Sequence, residues 1–208
     1  MSNYELRAAS LPGFGQRLAL RLLQLFGWTV RYKPLPGPHG VAIVYPHTSN
    51  WDFVVGLLGK WTLGLPFRWL GKESLFRGPW ARMMRSWGGV PVERSASTGA
   101  TQRLADTMRK SEWFWLALAP EGTRSYKPYL RSGFYHLAVT ANVPLLIVYL
   151  DYPKKELGVV DTIRLTGDPA IDMPAIEAAY HGHLGKHPEL AAPLKLAPPR
   201  SADTGKQA

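Results

Sequence analysis

The chain has 208 residues, of which 46% are hydrophobic and 19% are charged. A chain of this length and composition can bury one sizeable core, which excludes a mainly disordered polymer and leaves no room for two large domains. Its 25 basic and 15 acidic side chains give a formal charge of +10, and the whole excess lies before residue 154. A cationic surface of this kind favours phosphate-bearing partners, such as nucleic acid, anionic lipid or a phosphorylated metabolite.

Several classes of protein are excluded by what the sequence lacks. There is no Cys, which excludes disulfides, thiolate nucleophiles and Cys-ligated metal and is typical of a reducing cytosol. The first residues, MSNYELRAAS, do not have the basic start and apolar core of a secretory signal. No uncharged apolar run reaches the roughly 18 to 20 residues that a membrane-spanning helix needs. We therefore expect a cytoplasmic protein that does not cross a membrane but can lie on its cytoplasmic face.

Residues 14–28 predict the first helix. Arg17, Arg21 and Gln24 fall on one side of it, and most of the remaining circumference is apolar. In one interpretation the helix packs on the domain and the arginines extend into solvent. In the other it lies among the headgroups of an anionic membrane as an anchor. The Pro- and Gly-rich residues 34–40 end the helix, so we expect residues 1–33 to form an N-terminal segment ahead of the main domain.

From residue 41 onward the sequence alternates strands and helices. Strands are predicted at residues 41–45, 67–71, 90–93, 113–119, 143–150 and 159–167, and helices at 52–63, 78–87, 98–110, 134–142 and 173–184. Continuous apolar strands between helices predict a single α/β domain, residues 34–185, with a mostly parallel central sheet that is covered on both faces. The Pro- and Ala-rich residues 186–208 have no periodicity and predict a flexible tail.

The first group of candidate residues follows the strand at 41–45. In open α/β sheets, ligands bind where a strand end meets a helix N-terminus. If the helix begins near Asn50, the carboxylate of Asp52 can reach one imidazole nitrogen of His47 and leave the other nitrogen free as a base. The alternative is that Asp52 only stabilises the helix dipole and His47 only completes the loop.

The second group, Glu121-Gly122-Thr123-Arg124, follows the strand at 113–119. Backbone amides in such a loop and a planar guanidinium can both bind phosphate oxygens. The alternative is a surface turn with a local ion pair. The histidines at 181, 183 and 187 match no metal-ligand spacing, and His136, on a predicted helix, is interpreted as structural.

Together the two groups resemble the signatures of the glycerolipid acyltransferases, the family that includes the lysophosphatidic acid acyltransferases. His47 to Asp52 matches the HxxxxD motif, and Glu121 to Arg124 matches the EGTR motif. Residues 89–94 and 143–146 are similar to two lesser blocks of the family, so the resemblance covers about residues 40–150. The chain departs from the family by having Ile147-Val148 in place of a second Pro, and Arg131 where Lys is usual.

The resemblance implies the same fold and an acyl transfer reaction. His47 would remove the proton from an acceptor hydroxyl, Asp52 would orient His47, and the hydroxyl oxygen would attack an acyl thioester. That co-substrate would be acyl-CoA or an acyl carrier protein, and no cofactor or metal is implied. The acceptor would be a lysophospholipid such as 1-acylglycerol-3-phosphate, used in phospholipid biosynthesis.

The resemblance also implies an anion site for the acceptor. Arg94, Glu121 and Arg124 would hold the phosphorylated acceptor, and Gly122 and Thr123 would shape the loop. We add Lys72, which stands just after a predicted strand in a basic stretch between the motifs. The other basic residues of that stretch are expected to face solvent or anionic lipid.

The sequence also allows two other functions. A thioesterase or lipid hydrolase could use the same His47 and Asp52 to activate water. A basic binding module for nucleic acid or anionic lipid is suggested by the charge and by eight Trp, all of which precede residue 116. The sequence has no recognisable RNA- or DNA-reading motif, so we expect no nucleic-acid partner.

Overall fold

The computed structural model describes residues 4–92 and 99–198 of the chain. The strands in these residues are β1 (Tyr4–Glu5), β2 (Thr29–Tyr32), β3 (His39–Tyr45), β4 (Arg68–Lys72), β5 (Gly89–Val92), β6 (Phe114–Leu118), β7 (Leu145–Asp151) and β8 (Glu156–Ile163). The helices are α1 (Phe14–Leu25), α2 (Trp51–Leu63), α3 (Ala81–Ser86), α4 (Ala100–Lys110), α5 (Gly133–Ala141) and α6 (Pro169–Tyr180). Short 3-10 helices span Ala8–Ser10, Glu73–Phe76 and Pro188–Leu190.

All the described strands belong to one sheet with the order β1-β2-β8-β7-β3-β6-β4-β5. The five strands from β7 to β5 run parallel to one another. β8 is antiparallel to β7, β2 is parallel to β8, and β1 is antiparallel to β2. The prediction of a single α/β domain with a mostly parallel sheet is confirmed. In such a sheet the carboxyl ends of the central strands meet at one edge.

Apolar side chains fill both faces of the sheet because successive strand residues point to opposite sides. On one face, Val41 and Ile43 of β3 pack in one cluster with Phe134 of α5 and Ile176 of α6. On the other face, a cluster joins α1 and α2 to β7 and β8, and a smaller one lies around Trp115. These two layers of helices fix the loops at the sheet edge.

Helix α1 combines features of both interpretations made from the sequence. It buries Ala19, Leu20 and Leu23 against the domain. Its opposite side leaves large apolar side chains in solvent, with Phe14 80% exposed and Leu25 77% exposed. The helix therefore packs on the domain and still presents an apolar face. No helix within residues 4–92 and 99–198 is long and apolar enough to cross a membrane.

The N-terminal segment differs from the expected separate unit. β1 and β2 extend the central sheet, because β2 pairs with β8. The sequence predicts no strand here, since a run of only four residues, Thr29–Tyr32, lies between a helix and a Pro-rich turn. The N-terminal segment therefore contributes two strands, Tyr4–Glu5 and Thr29–Tyr32, to the sheet of the main domain.

Several predicted boundaries are wrong at the C-terminal side of the sheet. β8 spans Glu156–Ile163 rather than 159–167, and α6 spans Pro169–Tyr180 rather than 173–184. The helix starts earlier because Asp168 caps it: its side chain accepts a hydrogen bond from the amide of Ala170, and Pro169 occupies the first helical turn, where no amide donor is required.

The expected flexible tail is also corrected. Residues 186–198 lie along the domain and make specific backbone contacts. Leu130 donates its amide to the carbonyl of Lys195 at 2.8 Å, and Ala197 donates to the carbonyl of Leu130 at 3.1 Å. Ala192 is buried. Composition did not reveal this because the contacts are made by backbone groups and need no apolar periodicity. Residues 199–208 lie outside the described part of the chain.

Candidate active site

The loop between β3 and α2 carries His47 and Asp52. β3 ends at Tyr45 and α2 begins at Trp51, so Asp52 lies in the first turn of the helix. From there its Oδ2 atom lies 3.2 Å from Nδ1 of His47, as the spacing predicts. The carboxylate side chain is only 1% exposed, whereas the imidazole is 19% exposed. The pair therefore consists of a buried acid and a ring that a substrate can reach.

Hydrogen bonds hold Asp52 as a carboxylate. Oδ2 accepts from the backbone amides of Thr48 and Ser49, each at 2.8 Å. Oδ1 accepts from the hydroxyl of Tyr152 at 2.6 Å. Burial alone would raise the pKa of Asp52, but these hydrogen bonds and the one from His47 outweigh burial and hold the pKa below its usual value. An ionised Asp52 favours a proton on Nδ1 of His47 and leaves Nε2 free to accept one.

Tyr152 is a site residue that no motif in the sequence indicates. It directly follows β7, which runs parallel to β3 as its neighbour. Neighbouring parallel strands end at the same sheet edge. The position of Tyr152 directly after a buried strand is therefore the one feature of the sequence that could have placed it near the His47 loop. Burial and the hydrogen bond to Asp52 raise the pKa of the Tyr152 hydroxyl. The hydroxyl therefore remains a hydrogen-bond donor to Asp52.

Glu121, the first residue of the second motif, lies in the interior. Its Oε2 accepts from the backbone amide of His47 at 2.7 Å, and its Oε1 accepts from that of Ala192 at 3.4 Å. Burial raises the pKa of Glu121 to about 8, against the opposing effect of these two hydrogen bonds. This arrangement corrects the expected role of Glu121 in holding the acceptor, since a carboxyl turned into the core does not bind phosphate. Glu121 instead positions the His47 loop.

The rest of the second motif forms an exposed turn. Gly122 has φ +66, a left-handed backbone conformation that residues with a Cβ rarely adopt, so this position favours glycine, and the Arg131 side chain occupies the space that a Cβ would fill. Thr123 accepts a hydrogen bond from the amide of Ser125 at 3.3 Å, which shapes the turn. Arg124 is exposed at the end of it. Arg131 occupies the place where the family usually has Lys, and its side chain packs across the glycine.

A cavity of about 420 Å³ lies beside the His47 loop. It is lined by Thr48, Ser49, Asn50, Trp51, Arg124, Lys186, His187 and Leu190. The cavity is open to solvent, and Arg124 shares it with residues 48–51 of the loop that carries the His–Asp pair, whereas His47 and Asp52 themselves do not line it. Arg124 forms no salt bridge within the described part of the chain. Its charge is available to an anionic ligand.

The other two predicted anion-binding residues are less closely associated with the cavity. Lys72 is exposed at the carboxyl end of β4. β4 lies two strands away from β3 in the sheet, and Lys72 does not line the cavity. Arg94 falls in residues 93–98, outside the described part of the chain.

Residues 183–197, which we call the C-terminal strap, border the cavity on its remaining side. The amide of His187 donates to Oγ1 of Thr48 at 3.1 Å. The hydroxyl of Tyr45 donates to the carbonyl of Ala192 at 2.8 Å. Lys186, His187 and Leu190 of the strap line the cavity. The sequence gives no indication that Lys186, His187 and Leu190 belong to the site, because the composition of residues 186–208 predicts a flexible tail.

Within residues 4–92 and 99–198, no group of three or more His, Asp or Glu side chains is placed to hold a metal ion. His183 instead pairs with Asp151, at 3.1 Å, and its ring stacks on Tyr149. His136 is exposed on α5.

The part of the chain that carries the two motifs matches a known protein family. A family model described as Acyltransferase matches residues 29–151, which include both motifs and the strands that carry them. The match covers more than half of the chain, so the chain belongs to the acyltransferase family and is an enzyme of that class. The resemblance inferred from the two motifs is thereby confirmed at the level of the family.

Among solved structures, the chain is similar to PlsC, the 1-acyl-sn-glycerophosphate (LPA) acyltransferase from Thermotoga maritima. The TM-score is 0.50 at 17% sequence identity, and the match covers 79% of this chain and 73% of that one. At this identity the likeness confirms the fold. The sequence matches no curated protein.

Proposed function

We propose that this acyltransferase moves a fatty acyl group from an acyl thioester to the hydroxyl of a lysophospholipid, with 1-acylglycerol-3-phosphate as the acceptor. The observation that carries the proposal is the buried Asp52 paired with an accessible His47, on a loop that shares a cavity with the unpaired Arg124. The acceptor is suggested by the similarity of fold to PlsC, which acts on 1-acyl-sn-glycerophosphate.

The reaction follows from the orientation of His47. With the Nδ1 proton directed to Asp52, Nε2 accepts the proton of the acceptor hydroxyl while that oxygen attacks the thioester carbonyl. The new C–O bond forms as the C–S bond breaks, and the proton on Nε2 passes to the leaving thiolate. A general base of this kind contributes about 10² to 10⁴ in rate, and the ionised Asp52 stabilises the imidazolium that forms.

The anion site of the proposal lies on the other wall of the cavity. A guanidinium presents paired donors that match phosphate oxygens, so Arg124 would bind the acceptor phosphate. Lys72, at the carboxyl end of β4, would add positive charge at the same sheet edge, and Arg94 is retained as a further phosphate ligand from the resemblance alone. Gly122 and Thr123 would keep the turn in the shape that directs Arg124 to the cavity.

The apolar face of α1 supports a peripheral position on an anionic membrane. The exposed Phe14, Leu18, Leu22 and Leu25 lie on the same helix as Arg17 and Arg21. Such a helix can bury its apolar side chains at the headgroup boundary while each basic residue near the surface adds about 1 kcal/mol. A lipid acceptor would then reach the cavity from the cytoplasmic leaflet.

Vesicle binding tests the membrane part of the proposal. We expect the protein to sediment with vesicles that contain phosphatidylglycerol, and we expect the double variant Phe14→Ser, Leu25→Ser to remain in the supernatant. Ile171→Ser is the matched control, because Ile171 is also exposed but lies on α6. Equal sedimentation of both variants would remove α1 from the membrane contact.

Product analysis tests the reaction itself. The protein is incubated with labelled acyl-CoA or labelled acyl carrier protein, with and without 1-acylglycerol-3-phosphate. We expect labelled phosphatidic acid that depends on the acceptor, with whichever donor the enzyme uses. Release of free fatty acid at a rate independent of the acceptor would instead support a thioesterase in which His47 activates water.

A further inference from the structure

We propose that the C-terminal strap supplies part of the acceptor site, and that Lys186 binds the acceptor phosphate from the wall of the cavity formed by the strap. This inference rests on the proposed function for the identity of the acceptor. It assigns a substrate-binding residue to a segment that lies outside residues 29–151, the part of the chain that the family model matches.

The strap is attached to the active-site loops at several points. At its start, Nδ1 of His183 lies 3.1 Å from the buried carboxylate of Asp151. The amide of Tyr152, which directly follows, donates to the carbonyl of Leu184 at 3.0 Å. A residue whose hydroxyl holds Asp52 therefore also holds the strap.

Two further contacts tie the middle of the strap to the catalytic loop. A Cβ at Gly185 would lie 2.7 Å from Oγ1 of Thr48, so the absence of a side chain allows the close approach. The same Oγ1 accepts a hydrogen bond from the amide of His187. Lys186 thus lies between a glycine that packs closely against Thr48 and a backbone amide that is hydrogen-bonded to the same side chain.

Glu121 connects the strap with the general base. Its two carboxyl oxygens accept from the amide of His47 and from the amide of Ala192. One buried side chain therefore sets the position of the catalytic loop relative to the strap. This arrangement makes the strap part of the active site and not a covering segment.

The charge of Lys186 is available for a ligand. Its ammonium lies 5.9 Å from the ring centroid of Trp51, another residue that lines the cavity. In the described residues Lys186 has no acidic partner, whereas Lys154 is paired with Asp151 at 2.9 Å. Arg124 is likewise unpaired. The cavity thus has two cationic side chains without a counter-ion, one from the second motif and one from the strap.

His187 is a weaker candidate than Lys186 for the same task. Its Nδ1 lies 3.7 Å from Oε1 of the exposed Glu189. A carboxylate at that distance already attracts any positive charge on the ring and opposes a nearby phosphate. The phosphate-binding role is therefore assigned to Lys186.

Steady-state kinetics of Lys186→Met tests the proposal. Losing one charge-assisted hydrogen bond to a phosphate should raise the KM for 1-acylglycerol-3-phosphate about tenfold while kcat changes less than about twofold. The KM for the thioester donor should stay at the wild-type value. Lys195→Met is the matched control, since Lys195 is an exposed lysine of the same strap that does not line the cavity, and it should leave all constants unchanged.

A neutral acceptor separates phosphate binding from a change in shape. If monoacylglycerol is esterified at all, Lys186→Met and the wild type should use it equally well. An unchanged KM for the phosphorylated acceptor would overturn the proposal. A rise confined to the KM for acyl-CoA would also overturn it, because Lys186 would then bind a phosphate of the donor.

Direct binding keeps this inference separate from the proposed reaction. Glycerol 3-phosphate is titrated into the wild type, Lys186→Met and Lys195→Met, and its ³¹P signal is followed. Weaker binding by Lys186→Met alone supports the site even if the wild type does not turn over the lysophospholipid, a result that would overturn the proposed function only. Equal binding by all three proteins would overturn the assignment of Lys186.

Discussion

Two His–Asp pairs lie at the ends of neighbouring strands in this protein, and they resemble each other closely. His47 and Asp52 follow β3 and approach to 3.2 Å, while His183 and Asp151, at the end of β7, approach to 3.1 Å. In both pairs the carboxylate is 1% exposed, and the imidazoles are 19% and 16% exposed. Neither distance nor burial distinguishes the two pairs.

Their surroundings do distinguish them. Asp151 is also paired with Lys154, and the ring of His183 is stacked on Tyr149 with 3.9 Å between centroids. No aromatic ring in the described residues stacks on His47. The loop of His47 also borders the cavity that contains Arg124. We therefore expect a His–Asp pair to act in catalysis where its ring is unstacked and its loop borders a cavity, and to attach one segment to another where the ring is stacked and the carboxylate has a second partner.

Removing each imidazole in turn tests whether His47, and not His183, acts in the reaction. We expect His47→Ala to lower kcat by about 10² to 10⁴, because the general base is lost. His183→Ala should lower kcat less than about tenfold and should mainly reduce thermal stability, since it releases the start of the strap. Initial rates of phosphatidic acid formation and thermal melts measure both. Similar losses of kcat in the two variants would contradict the distinction.

Neutralising the carboxylate of each pair tests whether its charge contributes to kcat. Asp52→Asn should lower kcat by about 10² or more, because a neutral amide no longer stabilises the imidazolium that forms when His47 takes the proton. Asp151→Asn should leave kcat within about threefold of the wild type, because neither Asp151 nor His183 lines the cavity. Circular dichroism checks that both variants fold. A kcat for Asp52→Asn close to the wild-type value would show that the charge of the carboxylate does not support the base.

A smaller effect is expected from the tyrosine that holds Asp52. Tyr152→Phe leaves Oδ1 of a buried carboxylate without its partner, which costs about 1 to 3 kcal/mol and should lower kcat about tenfold. Tyr126→Phe, at an exposed tyrosine, is the control and should change neither stability nor kcat. Kinetics and urea unfolding of the two variants provide the measurement. No change in Tyr152→Phe would mean that the amides of the loop suffice to fix Asp52.

The last prediction concerns stability and not kcat, through the pH dependence of unfolding at Glu121. Its pKa is raised by burial from 4.5 to about 8 in the folded protein, so the folded state binds the proton more tightly than the unfolded state. The contribution of Glu121 to the free energy of unfolding should therefore decrease as the pH rises from about 4.5 to about 8. Urea unfolding across this range should show a shallower decrease for Glu121→Gln than for the wild type. Glu112→Gln, at an exposed site, should keep the wild-type slope, and identical slopes in all three proteins would contradict the raised pKa.

The parts of the fold that were predictable are those with a local signal. Apolar runs such as Val41–Tyr45 within β3, separated by amphipathic helices, indicated a mostly parallel sheet, and that is what forms. The start of α6 was mispredicted although Asp168 and Pro169 form a recognisable cap. β2 was missed because a strand of four residues depends on its partner β8 and not on its own pattern.

In the candidate site, too, local contacts were predictable from the sequence and long-range contacts were not. The contact between His47 and Asp52 was predictable because it closes within one loop. The inward orientation of Glu121 was not, because its partners, the amides of His47 and Ala192, lie 74 and 71 residues away along the chain. The strap was mistaken for a flexible tail for the same reason: backbone hydrogen bonds to distant loops leave no trace in composition. Contacts of this range follow from the fold and not from any single motif.

The tautomer of His47 is the most direct test of the proposed reaction. That reaction requires Asp52 to hold the Nδ1 proton and to leave Nε2 free. The ¹⁵N chemical shifts of the two ring nitrogens can be measured in the neutral form of the imidazole. We expect a protonated Nδ1 and an unprotonated Nε2 in the wild type, and a mixture of the two tautomers in Asp52→Ala, which has no acceptor for the Nδ1 proton. A wild-type ring that carries its proton on Nε2 would contradict the proposed reaction.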